Sequence, residues 1–345
     1  MTGTDSKDAP AGTVATVGVV IAAFRAADTI DMTLRALRSQ SLPPARIVVA
    51  IDGPDPETEA VVRAFEPAVE CIVLPGNTGG PGGPRNAAVS HLQATGDVDF
   101  YCIFDADDVP HPRFIEVAVE ALSLHPECPM VFTGFDFWHP PDPVPTPDDS
   151  PGSVHAWTLD DYLERPGQYL LGFSLVRSAA CRSIRADGRL FDAELRRNQD
   201  FDLVVRMLAD SPAVATTWRG AAYRIHATSH SASGVDAWSS RLLATESLRR
   251  DFQAAGRGDL ARGMDRLAGS ALRCAARHLW VRDAIGDRRV ATRLLLDDIL
   301  QRRDFKSLAV MTTLAFGVDA KAAGMSSKDH RRITRDATRI TSSGA

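Results

Sequence analysis

Several features that would mark a specialised protein class are missing from this sequence. Basic charge is not in excess: 39 Lys and Arg against 44 Asp and Glu leave a formal net charge of -5. Without a basic footprint, general nucleic-acid binding is not expected. Cysteine is sparse and scattered. Cys71, Cys102, Cys128, Cys181 and Cys274 are odd in number and form no C-x-x-C, which argues against a disulfide framework or structural zinc and suits a reducing compartment. No window reaches the apolar length of a membrane span. The nearest, SLAVMTTLAFGV from Ser307, is short and interrupted by threonines; it reads as a packed helix, with peripheral membrane contact as the other reading. The polar opening MTGTDSKDAPAGT has no apolar core of a signal peptide. It is expected to be a flexible tail over residues 1–15, and the protein is expected in the cytoplasm. Neither G-x-G-x-x-G after a strand nor a P-loop occurs, which argues against a dinucleotide dehydrogenase. There is no internal repeat.

What is present is enough apolar sequence, 44% of 345 residues, to bury a large core in one large domain or two smaller ones. The run Val17 to Phe24 is continuously apolar and suits a strand covered on both faces. Behind it Ile30, Leu34 and Leu37 recur at helical spacing after a candidate Asp28 cap. A second strand, Ile47 to Ile51, ends at Asp52-Gly53-Pro54-Asp55. A helix with Val61, Val62 and Phe65 follows, then a strand from Cys71 to Leu74. This alternation predicts a three-layer α/β sheet, mostly parallel. In such sheets ligands lie beyond the carboxyl ends of the strands.

Two stretches near such ends carry candidate chemistry. In VDFYCIFDADDVPHP the apolar strand Phe100 to Phe104 ends in Asp105, Asp107 and Asp108. Asp105 and Asp107 sit two apart and share a face of an extended chain. Crowded carboxylates are relieved by a hard divalent cation; an isolated turn of this kind is more often a helix cap before Pro110. In NTGGPGGPRNAAVSH four glycines and two prolines precede Arg85 and Asn86 in a first helical turn. The glycines let backbone approach a ligand closely, and the helix start and Arg85 favour phosphate; a plain flexible connector is the equal alternative.

Further on, Ile115, Ala118, Val119 and Leu122 predict a helix, and Met130 to Trp138 a strand. Six prolines between Pro140 and Pro151 predict a stiff, exposed loop. Tyr169 to Val176 reads as a strand. In RLFDAELRRNQDFDLVVRML, residues Phe201, Val204, Val205 and Leu208 share one helical face, with Asp200 at the helix start and Asp202 on the polar side. Tyr223, Arg224 and His226 lie on a strand-like segment. From about Val235 the chain turns Ala-, Leu- and Arg-rich, with Leu260, Met264, Leu267, Ala271 and Cys274 on one face, and reads as an all-α appendage. His278 there reads as a packing or surface residue.

Taken in order, VIAAFRAADTI, AIDGPDPETE, GNTGGPGGPRNAA, FDADD, GFSLVR with LFDAELRRNQDFDLVVRML, and YRIH followed by serine resemble the motifs of the inverting GT-A glycosyltransferases of family 2. The resemblance spans about Val17 to Ser233. It departs at Ala22 and Arg25, at the single Asp52, and at Gln199, where the family carries a carboxylate.

The resemblance implies a Rossmann-like GT-A domain over residues 16–234 and a helical C-terminal extension over 235–345. It implies a nucleotide-sugar donor, a UDP-sugar first among them, and a carbohydrate or other hydroxyl-bearing acceptor. Ala22, Phe24, Asp52, Arg85, Asn86, Asp105 and Ala106 would surround the nucleotide. Asp107, with Asp105 and His226, would hold Mn²⁺ or Mg²⁺, and Asp200 would be the general base. A sugar-1-phosphate nucleotidyltransferase and a non-catalytic nucleotide-binding protein of the same fold are the alternatives. The extension could pack on the domain, mediate a homo-oligomer, or touch a membrane-bound acceptor.

Overall fold

The first apolar run becomes β1 (Val17–Ala23), buried at every position but Ala22. A central parallel strand is covered on both faces, so its sequence shows no polar alternation. The computed structural model describes residues 15–146, 152–185, 187–225, 235–281, 291–296, 298, 306–307 and 310. Most of the tail, the end of the proline-rich segment, His226, the His278 side chain and nearly all of the apolar stretch from Ser307 lie outside those residues.

Helix α1 (Ile30–Arg38) buries Ile30, Leu34 and Leu37 as their spacing requires, each stabilising the fold by about 1.5–3 kcal/mol. There follow β2 (Arg46–Ile51), α2 (Pro56–Arg63), β3 (Glu70–Val73), α3 (Gly82–Thr95) and β4 (Phe100–Asp105). Next come β5 (Val109–Pro110), α4 (Phe114–Ser123), β6 (Met130–Trp138), β7 (Val154–Trp157) and α5 (Leu159–Glu164). A 3-10 turn, Leu171–Phe173, leads into β8 (Ser174–Arg177), α6 (Ser178–Cys181), α7 (Gln199–Leu208) and β9 (Ala213–Arg224). The described helices beyond are α8 (Val235–Ala254) and α9 (Gly258–Val281).

One sheet carries all nine strands found among the described residues, in the order β3-β2-β1-β4-β8-β6-β9-β5, with β7 also on β9. The half from β3 to β4 is parallel, as the strand–helix alternation requires. Then β8 enters antiparallel to both β4 and β6, and β9 runs parallel to β6. Two reversals restore direction, so the carboxyl ends of β2, β1, β4, β6 and β9 open on one edge. The architecture is the expected α/β class, with its antiparallel pairs confined to the second half.

Alternate side chains of β1 feed two cores. Val17, Val19 and Ile21 pack with α1, α2 and α4 on one face. Val20 packs with α3 and α7 on the other. The second core does not stop at β9. Ala244, Leu248 and Phe252 of α8 and Ala261 and Met264 of α9 belong to the same apolar cluster as α7. These helices are therefore a third layer completing the domain core, and the expected appendage boundary near Val235 is not a boundary in packing.

Three local expectations are corrected. Asp28 does not cap α1; Thr29 occupies the cap position without a side-chain cap bond, and its hydroxyl instead donates to Ala26 O and Ala106 O. The segment from Tyr169 does not begin a strand, because Leu171–Phe173 winds into a 3-10 turn and extended structure starts only at Ser174. Asp202 is not on a polar face. It is fully buried, and its carboxylate accepts from Arg206 Nε and Nη2 at 3.0 Å each and from Arg185 Nη1 at 2.9 Å. Helix α7 has no polar side to offer at that position, since α8 covers it.

Candidate active site

The strand ends of the parallel half are laced into one floor. Asp52 N donates to Ala23 O at 2.8 Å, joining β2 to β1. Arg25, with φ of 52°, turns the chain after β1, and its N–H donates to Asp55 Oδ2 at 2.7 Å. Asp55 also caps α2 through Thr58 N, and Thr58 Oγ1 accepts from Ala26 N at 2.9 Å. On this floor Phe24 is exposed, with the Arg25 guanidinium 5.1 Å from its ring centroid. Asp52 is buried, and its Oδ1 accepts from Thr78 N and Thr78 Oγ1 at 2.8 and 2.9 Å. That bond holds the glycine-rich loop against β2. The approach is close: at Gly53, with φ of +96°, a Cβ would lie 2.8 Å from Asn77 N, so no other residue fits without displacing the loop.

The acidic turn after β4 is anchored from both sides. Ala22 of β1 lies in register with Asp105. From α1, Thr33 Oγ1 donates to Asp108 O at 2.8 Å and Ala106 O at 3.2 Å, alongside Thr29. From β9, Arg224 N donates to Asp108 Oδ1 at 2.8 Å and Arg224 Nε to Asp107 O at 2.7 Å. The Arg224 guanidinium stacks 4.2 Å over Trp138. Asp108 is buried and its carboxyl is pushed well above the usual range, by burial first and then by the charges of Asp107 and Asp105, against the opposing Arg224 contact. It holds the turn to β9 and caps nothing: α4 starts at Arg113 without a side-chain cap. Asp105 and Asp107 remain half-buried at the rim.

Arg85 is buried, and its Nη2 donates to Asp105 Oδ1 at 2.5 Å. The other carboxylate oxygen, Oδ2, faces Gly172, where a Cβ would come within 3.3 Å. Arg85 thus sets the Asp105 carboxylate in one orientation. Asn86 serves a different purpose from the one expected. Its Nδ2 donates to Phe191 O and its Oδ1 accepts from Phe191 N, both at 2.9 Å, a two-bond clamp on the backbone preceding α7. The Arg85 guanidinium lies over the Phe191 ring at 5.4 Å.

The same segment accounts for the loop glycines. A Cβ at Gly80 would sit 2.7 Å from Arg196 O, and one at Gly82 3.2 Å from Asp192 O. Close approach of backbone was the right inference from these glycines, but at Gly80 and Gly82 the partner is the protein's own chain. Asp200 follows this docked segment, at the second position of α7 and half-buried. Gln199 beside it is buried, and its amide oxygen has no partner among the described residues. Tyr162 and Arg241 complete the surroundings. Burial raises the Tyr162 hydroxyl, with the Asp200 charge adding to it. Burial lowers the Arg241 guanidinium, with Tyr162 and Asp200 opposing. Arg241 lies 3.7 Å over the Phe201 ring, and Ser240 Oγ donates to Arg197 O at 2.5 Å, so α8 braces the start of α7.

Of the expected residues, Ala22, Phe24, Asp52, Arg85, Asp105, Ala106 and Asp107 gather at the ends of β1, β2 and β4, and Asn86 is turned to Phe191. Thr33, Arg224 and Gly172 were not singled out for the roles they have. Thr33 had a signal: it interrupts the apolar face of α1 at a core position. Gly172 had one too, as a lone glycine in a strand-like run.

A hard divalent cation fits this turn chemically. The donors are carboxylate oxygens, and Asp105 and Asp107 stand two residues apart and half-buried at the rim of the turn. Among the described residues, the His125, Glu127 and Cys128 side chains also lie within 4.8 Å of one another, far from this turn in the sequence.

The family model described as glycosyl transferase family 2 matches residues 18–185. No curated protein matches the chain significantly. Among solved structures, residues 1–349 of S. aureus TarS in complex with UDP-GlcNAc superpose with a TM-score of 0.64 at 15% identity, covering 95% of this chain and 90% of that one. The UDP complex of the same TarS fragment gives 0.62 at the same identity and coverage. Against the longer TarS structure the TM-score is 0.62, and the match spans 55% of that chain. At that identity the likeness is one of fold, and it extends through the C-terminal helices.

Proposed function

We propose that the chain is a family 2 glycosyltransferase, on the match of that family's model to residues 18–185, and that it moves a sugar from a UDP-sugar to an acceptor hydroxyl by direct displacement with inversion. The observation that carries this reading is the half-buried pair Asp105 and Asp107 on a turn held rigidly by Thr33, Arg85 and Arg224. Asp107, with Asp105 Oδ2, would hold Mn²⁺ or Mg²⁺. The bound cation would stabilise the charge that develops on the departing diphosphate. His226 follows β9 in sequence and is a candidate third ligand.

The chain's own residues divide the remaining work. Phe24, Ala22 and Asp52 would border the nucleoside, and Asp52 keeps the glycine loop folded against it. Arg85 orients Asp105. Asp200 would accept the acceptor's proton as the new bond forms on the opposite face of the sugar, the arrangement inversion requires. The packing of α8 and α9 on α7 supports counting these helices with the working unit rather than as a separate extension.

The test is a thermal-shift screen of nucleotide sugars with and without Mn²⁺. A ligand present at 100 times its Kd stabilises the fold by about 2.7 kcal/mol, so a Mn²⁺-dependent shift with one UDP-sugar is the expected result. Asp107→Ala is expected to remove that shift while leaving the melting temperature of the unliganded protein within a few degrees. A full shift retained by Asp107→Ala would sink the metal assignment. Gly172→Ala places a methyl group against Asp105 Oδ2. Overpacking of this kind costs about 1–3 kcal/mol, so Mn²⁺-dependent UDP affinity, measured by calorimetry, is expected to fall about tenfold or more. Nothing specific favours the nucleotidyltransferase reading: the turn from β1 into α1, FRAADT, contains no glycine.

A further inference from the structure

Large apolar side chains are exposed at few places among the described residues, and besides Phe24 one of them lies beyond the nucleotide side of the candidate site. Phe137, near the carboxyl end of β6, is 47% exposed. Its ring meets Phe135 edge-on at 5.4 Å and Tyr223 edge-on at 5.9 Å. Phe135 and Tyr223 in turn pack on Phe173, at 5.1 and 6.2 Å. Phe173 is fully buried and follows Gly172, the residue that faces Asp105 Oδ2. Tyr223 precedes Arg224, which is bonded to Asp107 and Asp108. This aromatic wall is therefore tied at both ends to the acidic turn.

Its place on the sheet decides what it faces. Strands β2, β1 and β4 carry the nucleotide-side residues, and β6 and β9 lie beyond β4 with β8 between. Phe137 and Tyr223 are register partners at the same edge as Asp105. Strand alternation turns Phe135 and Phe137 to one face and Asp136 and Trp138 to the other. There Asp136 pairs with Arg219 and Trp138 with Arg224. The wall itself contributes flat, uncharged ring surface.

We propose that Phe137 and Tyr223, backed by Phe135, form the acceptor subsite and stack against the C–H face of a sugar ring, so that the acceptor presents its hydroxyl from a cyclic glycoside. This rests on the transferase reading above. A pyranose has an apolar face of axial C–H bonds and a rim of hydroxyls. An aromatic ring fixed by edge-on neighbours offers the matching flat surface, and exposed apolar area beside a polar site marks a binding surface. An acyclic polyol has no such face, and a polyanion would find no cationic group on the wall.

The test uses the full chain with UDP and Mn²⁺ present, probed by saturation-transfer NMR with methyl β-glucoside and methyl β-N-acetylglucosaminide, and with sorbitol as the acyclic control. The expected result is saturation of ring C–H protons of at least one methyl glycoside and none of sorbitol. In Phe137→Ala that transfer is expected to weaken about tenfold. Phe137→Leu, which keeps apolar burial but not the flat ring, is expected to lose it similarly, and Phe137→Trp to retain it. The UDP-induced thermal shift stays unchanged in all three variants. The inference is overturned if native protein binds UDP but neither glycoside, if sorbitol binds equally, or if Phe137→Ala binds glycoside as well as native protein. Failure of native protein to bind UDP overturns the transferase reading itself, and the acceptor subsite with it.

Discussion

Asp200→Asn is expected to lower sugar transfer by roughly 10²–10⁴-fold while leaving Mn²⁺-dependent donor binding intact, because the amide cannot take the acceptor's proton. The substitution is nearly isosteric, and Asp200 is half-buried at the second position of α7, so the fold has little reason to respond. The measurement is UDP release with acceptor present, alongside calorimetric donor binding. Transfer at the native rate would remove Asp200 from the mechanism. A parallel loss of donor binding would instead place Asp200 at the nucleotide. The adjacent Gln199 sharpens the result: it stands where the family has a carboxylate, and it is buried. No second carboxylate at that position is available to substitute for Asp200.

Asp202→Ala is expected to be the most damaging single change to stability. Asp202 is fully buried between Arg185 and Arg206. Arg206 also reaches Asp251 of α8 at 2.7 Å, and Arg185 reaches Asp192 at 3.0 Å. Removing the central carboxylate leaves two largely buried guanidinium groups facing each other, Arg206 with Asp251 alone and Arg185 with Asp192 and, at 3.9 Å, Asp187. Breaking a buried ion pair in this way costs about 3–5 kcal/mol, which lowers the melting temperature by on the order of 10 °C. Asp251→Asn is the control. Asp251 is 53% exposed, and an exposed pair contributes at most about 1 kcal/mol. If Asp202→Ala melted within 2–3 °C of native protein (~1 kcal/mol), the network would be ornamental. The network also has a functional side, because it joins α8, α7 and the segment before α7 that docks on the glycine loop. Loosening it is expected to displace Asp200, two residues before Asp202 on α7, before the rest of the sheet unfolds.

The TarS likeness over the C-terminal helices fits this view of α8. Helices that read as an appendage in sequence supply Ser240 and Arg241 at the start of α7 and Asp251 to the buried network. Truncation at Val235 would therefore expose the core face of α7 and remove the brace behind Asp200.

Much of the nucleotide side was legible from sequence alone. Strand and helix periodicity is local, and a continuous apolar run, a strand-end aspartate and a glycine turn each report their own backbone. Hence β1, β2, β4 and α1 came out within a residue or two, and Asp52, Asp105 and Asp107 fell at the ends of strands that the sheet then brought together. What stayed illegible depends on partners far away in the chain. Asn86 reads as a loop residue until Phe191 is placed against it, 105 positions on. Asp202 reads as a solvated carboxylate until α8 covers it. Gly80 and Gly82 signal close approach, but sequence does not say to what.

The amino-acid sequence by itself determined the parallel half-sheet and the acidic turn. These rest on patterns whose period is set by helix and strand geometry. Only the tertiary structure decided that Arg85 orients Asp105, that Thr33 and Arg224 lock the turn, and that α8 belongs to the core. It also decided that Phe137 and Tyr223 stand beside the acidic turn. Side-chain partnership across a sheet is a property of register and packing, and those are fixed only when the whole chain has collapsed around both faces of β1.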